Sequence, residues 1–150
     1  MKANSLEVCP KLLAGEKIFL LKNKFDQINI PLEQGCELIT RALPDSYFFP
    51  FEDDSLDKIL VLNHIPEVRM DQLYMVISEA KRALKPRGLL FIQNPTMGLS
   101  KINDLLQAKI LGKRLLKIHH YFTPEDWKEV DYHREKIGWE TYESILLQKI

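Results

Sequence analysis

Residues Phe48 to Pro95 read FFPFEDDSLDKILVLNHIPEVRMDQLYMVISEAKRALKPRGLLFIQNP, and this stretch decides the fold. An acidic turn (Glu52, Asp53, Asp54) leads into an apolar run from Ile59 to Leu62. A helical stripe follows at Leu73, Val76, Ile77, Ala80 and Leu84; Lys85-Pro86-Arg87-Gly88 breaks it, and a second apolar run spans Leu89 to Ile92. The succession is strand, crossover helix, strand. Strands joined by a crossover of this length run in the same direction, so the segment requires a parallel sheet. Pro66 and Glu67 suit the start of a helix predicted over Val68 to Leu84, and Pro86 with Gly88 suits its end.

Two linked motifs lie in this stretch. Phe49, Pro50, Phe51, Asp53, Ser55, Leu56, Asp57 and Ile59 form the first; Glu79, Arg82, Leu84, Lys85, Pro86, Arg87 and Gly88 form the second. In that order, with a strand and a helix between them, they resemble the second half of class I S-adenosylmethionine-dependent methyltransferases, type 11-like, which read "LPF-x-D-x-S-F-D-x-I" and "E-x-x-R-x-L-K-P-G-G". His64-Ile65-Pro66 is similar to the end of the family's "L-E-H-I-P" phrase, in a shorter loop. Arg87 stands where the family has glycine. The resemblance implies an α/β, Rossmann-like, mostly parallel sheet flanked by helices, class I methyltransferase-like and reduced in its N-terminal half, built by residues 1–150 as one domain.

The resemblance also implies S-adenosylmethionine as cofactor and methyl transfer to an unknown acceptor. Lys17 to Leu21 falls where the family's first strand should be, and the turn after it normally carries glycines that let backbone N–H groups approach the cofactor. Here the turn is Lys22-Asn23-Lys24-Phe25, without glycine. Ile28 to Ile30 is predicted as a second short strand. Pro31 takes the place of the acid that would bind the ribose hydroxyls, and Glu33, two residues on, is a substitute or a solvated turn residue. Asp45 falls in the register of the acid that contacts the adenine amino group, or forms an ordinary turn after Pro44. The candidate cofactor walls are thus Lys22 and Asn23, Asp45 and Ser46, and Asn63.

Open α/β sheets bind ligands beyond the carboxyl ends of their strands, which gives Asn63 and His64 the positions of most interest. His64 is the candidate catalytic base, because imidazole takes or gives a proton near neutral pH. The alternative is a capping histidine bonded to a backbone carbonyl. The glycine-free turn keeps a rival reading open: a degenerate methyltransferase-like chain that acts by binding a partner.

Composition bounds the remaining classes. At 150 residues and 45% hydrophobic content the chain can bury a sizeable core. Twenty-one basic residues balance 21 acidic ones, so the surplus positive charge of a nucleic-acid coat is absent. Cys9 and Cys36 have neither metal-ligand spacing nor disulfide-scaffold density, and no run approaches the roughly 20 apolar residues of a membrane span. The expectation is a soluble, cytoplasmic protein without a metal, with a homo-oligomer or protein partner possible.

Outside the motifs, Glu37 to Ala42 has the composition of a short strand. Tyr47, Phe48, Phe49 and Phe51 form a dense aromatic cluster that suits a core anchor beside the sheet better than a purine wall. Ser100 to Ile118 reads as a helix with Lys101, Lys109, Lys113, Arg114 and Lys117 on it, followed by His119 and His120; its basic face could receive an acidic substrate or partner. Thr123 as cap, Pro124, Asp126 and a Phe122–Trp127 staple predict a helix that ends at Gly138. Trp139 to Leu147 is predicted as a late strand closing the sheet edge.

Overall fold

The computed structural model describes residues 10–22, 33–42, 48–62, 73–97, 122–137 and 140–150. Six strands and a helix fall within them: β1 (Lys17–Lys22), β2 (Glu37–Ala42), β3 (Leu56–Leu62), α1 (Leu73–Ala83), β4 (Leu84–Met97), β5 (Trp127–Ile137) and β6 (Glu140–Lys149). They form one sheet in the order β2-β1-β3-β4-β6-β5. β2, β1, β3 and β4 are mutually parallel, and β6 runs against both β4 and β5. The expected parallel pair is present: Lys58 to Leu62 lies beside Leu89 to Gln93 in unbroken register. This is a Rossmann-like, mostly parallel sheet.

The central strands are apolar on both faces, as a doubly covered parallel sheet demands. One face carries Phe19, Leu21, Ile59, Val61, Leu90, Ile92, Ile145 and Leu147, packed with Val76, Ile77, Ala80 and Ala83 of α1. The other carries Ile18, Leu20, Leu60, Leu62, Phe91 and Leu146, with Leu12 against them. The segment from Phe48 to Ser55 crosses β1 on the α1 face. There Phe49 and Phe51 meet the Phe19 ring edge-on, centroids 4.9 and 4.8 Å away. Those two phenylalanines anchor the core; Phe48 is exposed, and Tyr47 lies outside the described residues.

The charged residues of the two motifs knit this crossover to α1. Arg82 donates from Nε to Glu79 (2.7 Å) and from Nη1 and Nη2 to the carbonyls of Phe51 (2.8 Å) and Phe49 (3.0 Å), with a further bond to Asp53 (2.8 Å). Glu79 in turn accepts the Phe49 N–H at 2.9 Å. The last helical carbonyls, of Arg82 and Ala83, accept the N–H groups of Asp54 and Ser55, so the helix C-terminus is capped by the turn it follows in space. Asp57 accepts the Lys17 N–H at 2.8 Å and the Lys85 ammonium at 3.1 Å, joining β1 to the break after the helix. Burial pushes the Asp57 carboxyl up, but those two bonds outweigh it and hold its pKa below the ordinary carboxylate value.

At the break itself the register jumps from Leu56↔Leu84 to Lys58↔Leu89. The chain makes the jump with Arg87 at φ +67°, while Gly88 comes so close to its neighbours that a Cβ there would lie 2.8 Å from the Lys85 carbonyl. Glycine is thus required for space at 88, and the left-handed conformation falls on Arg87. A side chain in that region costs about 1–2 kcal/mol, partly offset by the greater unfolded-state freedom of glycine. Arg87→Gly is therefore expected to stabilise the protein by roughly 0.5–1 kcal/mol in urea unfolding, and Arg87→Ala to leave stability nearly unchanged.

Two sequence expectations need correction. The predicted helix over Val68 to Leu84 ends one residue sooner, since Leu84 opens β4; its first residues, to 72, lie outside the described ones. The strand beside β1 is Glu37–Ala42, and Ile28 to Ile30 lies outside the described residues. The helix expected after Thr123 is instead one turn followed by strand β5. The turn is present: the Thr123 carbonyl accepts the N–H groups of Asp126 (3.1 Å) and Trp127 (3.0 Å), the Thr123 hydroxyl donates to the Asp126 carboxylate at 2.9 Å, and Phe122 meets Trp127 edge-on. Beyond Trp127, ten residues of ladder with β6 override the local signal. A bulge between Glu129 and Asp131 hides the alternation, because it returns Tyr132 to the face that Trp127 occupies.

Candidate functional site

The four parallel strands share one rung near the carboxyl ends of their described lengths. Lys22, the last residue of β1, is in register with Ala42, the last of β2, and with Leu62, the last of β3. The same rung continues through Gln93, Ser144 and His133. β1, β2 and β3 are described up to this level. β4, β6 and β5 are described past it, to Met97, Glu140 and Ile137, so their backbone reaches roughly 10 Å beyond the Ala42–Lys22–Leu62 shelf, at about 3.3 Å per residue with one bulge. The strand order also reverses here: from β1 the chain passes to β2 on one side and later to β3 on the other. Such a switch point is where open α/β sheets hold ligands.

Of the residues proposed from sequence, Lys22 is half-buried on the shelf. Asn23, Asp45, Ser46, Asn63 and His64 lie outside the described residues. In the chain they follow the three level strand ends: Asn23 comes directly after Lys22, Asn63 and His64 directly after Leu62, and Asp45 and Ser46 third and fourth after Ala42. The basic segment 100–118 and His119-His120 are likewise outside.

Glu33, the substitute ribose acid, is excluded. It sits before β2, at the amino ends of the strands, where its carboxylate accepts the Ala14 N–H at 3.1 Å and its own N–H bonds the Leu12 carbonyl. Cys36 is a free thiol in the same corner. Burial, and then the Glu16 carboxylate, push its pKa up, so it is a poor nucleophile.

Sequence reasoning missed the polar pairs in the wall. Gln93 and Ser144, each nearly fully buried, bond at 3.0 Å on one face of β4 and β6. On the other face the Tyr132 hydroxyl donates to Glu143 at 2.8 Å. Burial, then the Glu143 carboxylate, push the Tyr132 pKa up to about 12. The available signal was an apolar run that turns polar at Gln93, in line with the ends of β1 and β3. Among the described residues no three His, Cys, Asp or Glu side chains gather into a metal-binding group. No described helix is long and apolar enough to cross a membrane.

No protein-family model matches the sequence, and no curated protein does. Solved structures do match. A SAM-dependent methyltransferase from Methanosarcina mazei superposes with a TM-score of 0.61 at 11% identity, over 99% of both chains. A geranyl diphosphate methyltransferase in complex with SAM superposes with a TM-score of 0.51 at 9% identity, over 76% of this chain and 58% of that one. At such identities the likeness establishes architecture: the chain has the class I methyltransferase fold.

Proposed function

We propose that the protein is an S-adenosylmethionine-dependent methyltransferase whose cofactor lies on the shelf formed by the ends of β2, β1 and β3. The observation that carries this reading is the rung Ala42–Lys22–Leu62, level across the switch point. The residues present fit the cofactor in one respect. Lys22 supplies a cation for the carboxylate of its methionine part, in place of the close backbone approach that a glycine turn would give. Asn23, Asp45, Ser46 and Asn63 complete the binding set, with Asp45 as the adenine contact. When bound, the cofactor supplies an electrophilic methyl group; the protein's task is to hold an acceptor atom in line with it. His64, next to the shelf in sequence, takes the acceptor's proton.

Calorimetry with S-adenosylmethionine and S-adenosylhomocysteine is expected to give micromolar binding. Lys22→Ala should weaken it about tenfold, the loss of one charge-assisted contact, and His64→Ala should leave it unchanged. Absence of heat at millimolar ligand would instead favour the second reading, a methyltransferase-fold binding module. The observation on that side is the sequence Lys22-Asn23-Lys24-Phe25, which contains no glycine.

A further inference from the structure

We propose that the β2 edge of the sheet is a self-association surface, where a second copy of this chain adds its own β2 antiparallel about a twofold axis at Ile39. Among the described residues β2 pairs with β1 alone and is an outer strand of the sheet. Glu37, Thr40 and Arg41 are exposed, and Leu38 and Ile39 are half-exposed. The Glu37 N–H bonds the Glu16 carbonyl on the β1 side. Backbone groups alternate in direction along a strand, so those of Ile39 and Arg41 also face β1, and those of Leu38 and Thr40 face outward. The outward Thr40 carbonyl is met by its own neighbour's side chain, Arg41 Nη1, at 3.3 Å.

A twofold at Ile39 engages the outward groups of Leu38 and Thr40, and those of Ala42 lie beyond the pairing at the end of the strand. Leu38 stands opposite Thr40 of the partner subunit, and Thr40 opposite the partner's Leu38; each pair exchanges two backbone hydrogen bonds. Ile39 meets the partner's Ile39 on the α1 face of the sheet, where Ile39 already packs against the core. On either side of it, Glu37 faces the partner's Arg41 across a non-hydrogen-bonded pair, where side chains approach most closely. The strand ELITRA is therefore charge-complementary to itself in this register.

The opposite edge is built against such pairing. β5 is bulged at Glu129/Asp131, and a twofold at Asp131 would set that carboxylate against itself and Lys128 against Arg134. β2 has no bulge and no like-charge opposition of this kind.

Sedimentation equilibrium on the full chain tests the proposal. The wild type is expected to dimerise with a dissociation constant on the order of 100 μM, as small transient interfaces do. Glu37→Arg and Arg41→Glu should each weaken the dimer about tenfold, and the doubly swapped chain should return to within about threefold of wild type. Amide exchange in the wild type supplies a readout that needs no variant: Leu38 and Thr40 should become protected as concentration rises. A monomer at about 1 mM, reversals without effect, or a dimer in which Leu38 and Thr40 exchange freely would each overturn the proposal.

Discussion

Replacing Arg82 by Met should destabilise the protein by about 3 kcal/mol, lowering Tm by roughly 10 °C. Five hydrogen bonds leave together, and the carbonyls of Phe49 and Phe51 lose their side-chain donor while Glu79 loses its cation. Orphaned acceptors and an uncompensated carboxylate cost more than the net value of the bonds that satisfied them, which is why the estimate exceeds that of a surface ion pair. The side chain is one-third exposed, and water will recover part of the loss. Arg82→Lys should restore less than half, since an ammonium cannot reach two carbonyls and a carboxylate at once. The acid limb carries the same signature. The bond from Arg82 and that from the Phe49 N–H, against burial, hold Glu79 below its ordinary pKa. Its contribution is present above the ordinary carboxylate pKa and is lost as pH falls through the depressed one. The wild type should therefore lose stability over that window more steeply than Arg82→Met. A loss under about 1 kcal/mol for Arg82→Met, with unchanged acid behaviour, would show that the crossover holds without this clamp.

Lys58→Met should cost about as much, for a different reason. Lys58 rises from the core strand β3 with 7% of its side chain exposed, bonds Glu16 at 2.6 Å, and donates also to the Lys11 carbonyl. Removing the cation leaves the Glu16 carboxylate, one-fifth exposed, with the Leu13 N–H as its remaining donor among the described residues. Breaking a buried pair from one side costs on the order of 3 kcal/mol, whereas replacing both partners is often close to neutral. The double variant Lys58→Met/Glu16→Gln should thus be more stable than Lys58→Met alone. Chemical denaturation of the four proteins in that cycle measures the coupling, and strict additivity would mean the pair is solvated.

The sheet was legible from sequence because its centre is written redundantly. Ile59 to Leu62 and Leu89 to Ile92 are too apolar and too short to be anything but buried strands once a helical stripe lies between them, and both motifs sit at their entrances. The motif residues explain themselves in the structure: Asp53, Ser55, Asp57, Glu79, Arg82 and Lys85 are scaffold, tying crossover, helix and strand together. Their presence in the sequence therefore reports architecture and says nothing of chemistry.

The illegible parts have physical causes. The Thr123 signal specifies one turn only, and the bulge in β5 removes the period-two pattern that would have announced a strand. Glu33 followed the strand predicted at Ile28 to Ile30, yet it precedes the strand that pairs with β1, so it falls at the amino ends. The buried pair Gln93–Ser144 joins residues 51 apart in sequence through an antiparallel register that no local signal sets. For the candidate site the sequence supplied Lys22 and the positions after each strand end; the level rung that unites them is a property of register alone.

Where the cofactor product binds is the most direct test of a site at the Ala42–Lys22–Leu62 rung. Titration of S-adenosylhomocysteine into isotopically labelled protein, followed by backbone amide shifts, should move Lys22, Ala42 and Leu62 together and leave Leu12 to Glu16 and Glu33 in place. Shifts confined to the amino ends of the strands, or none at millimolar ligand, would contradict it.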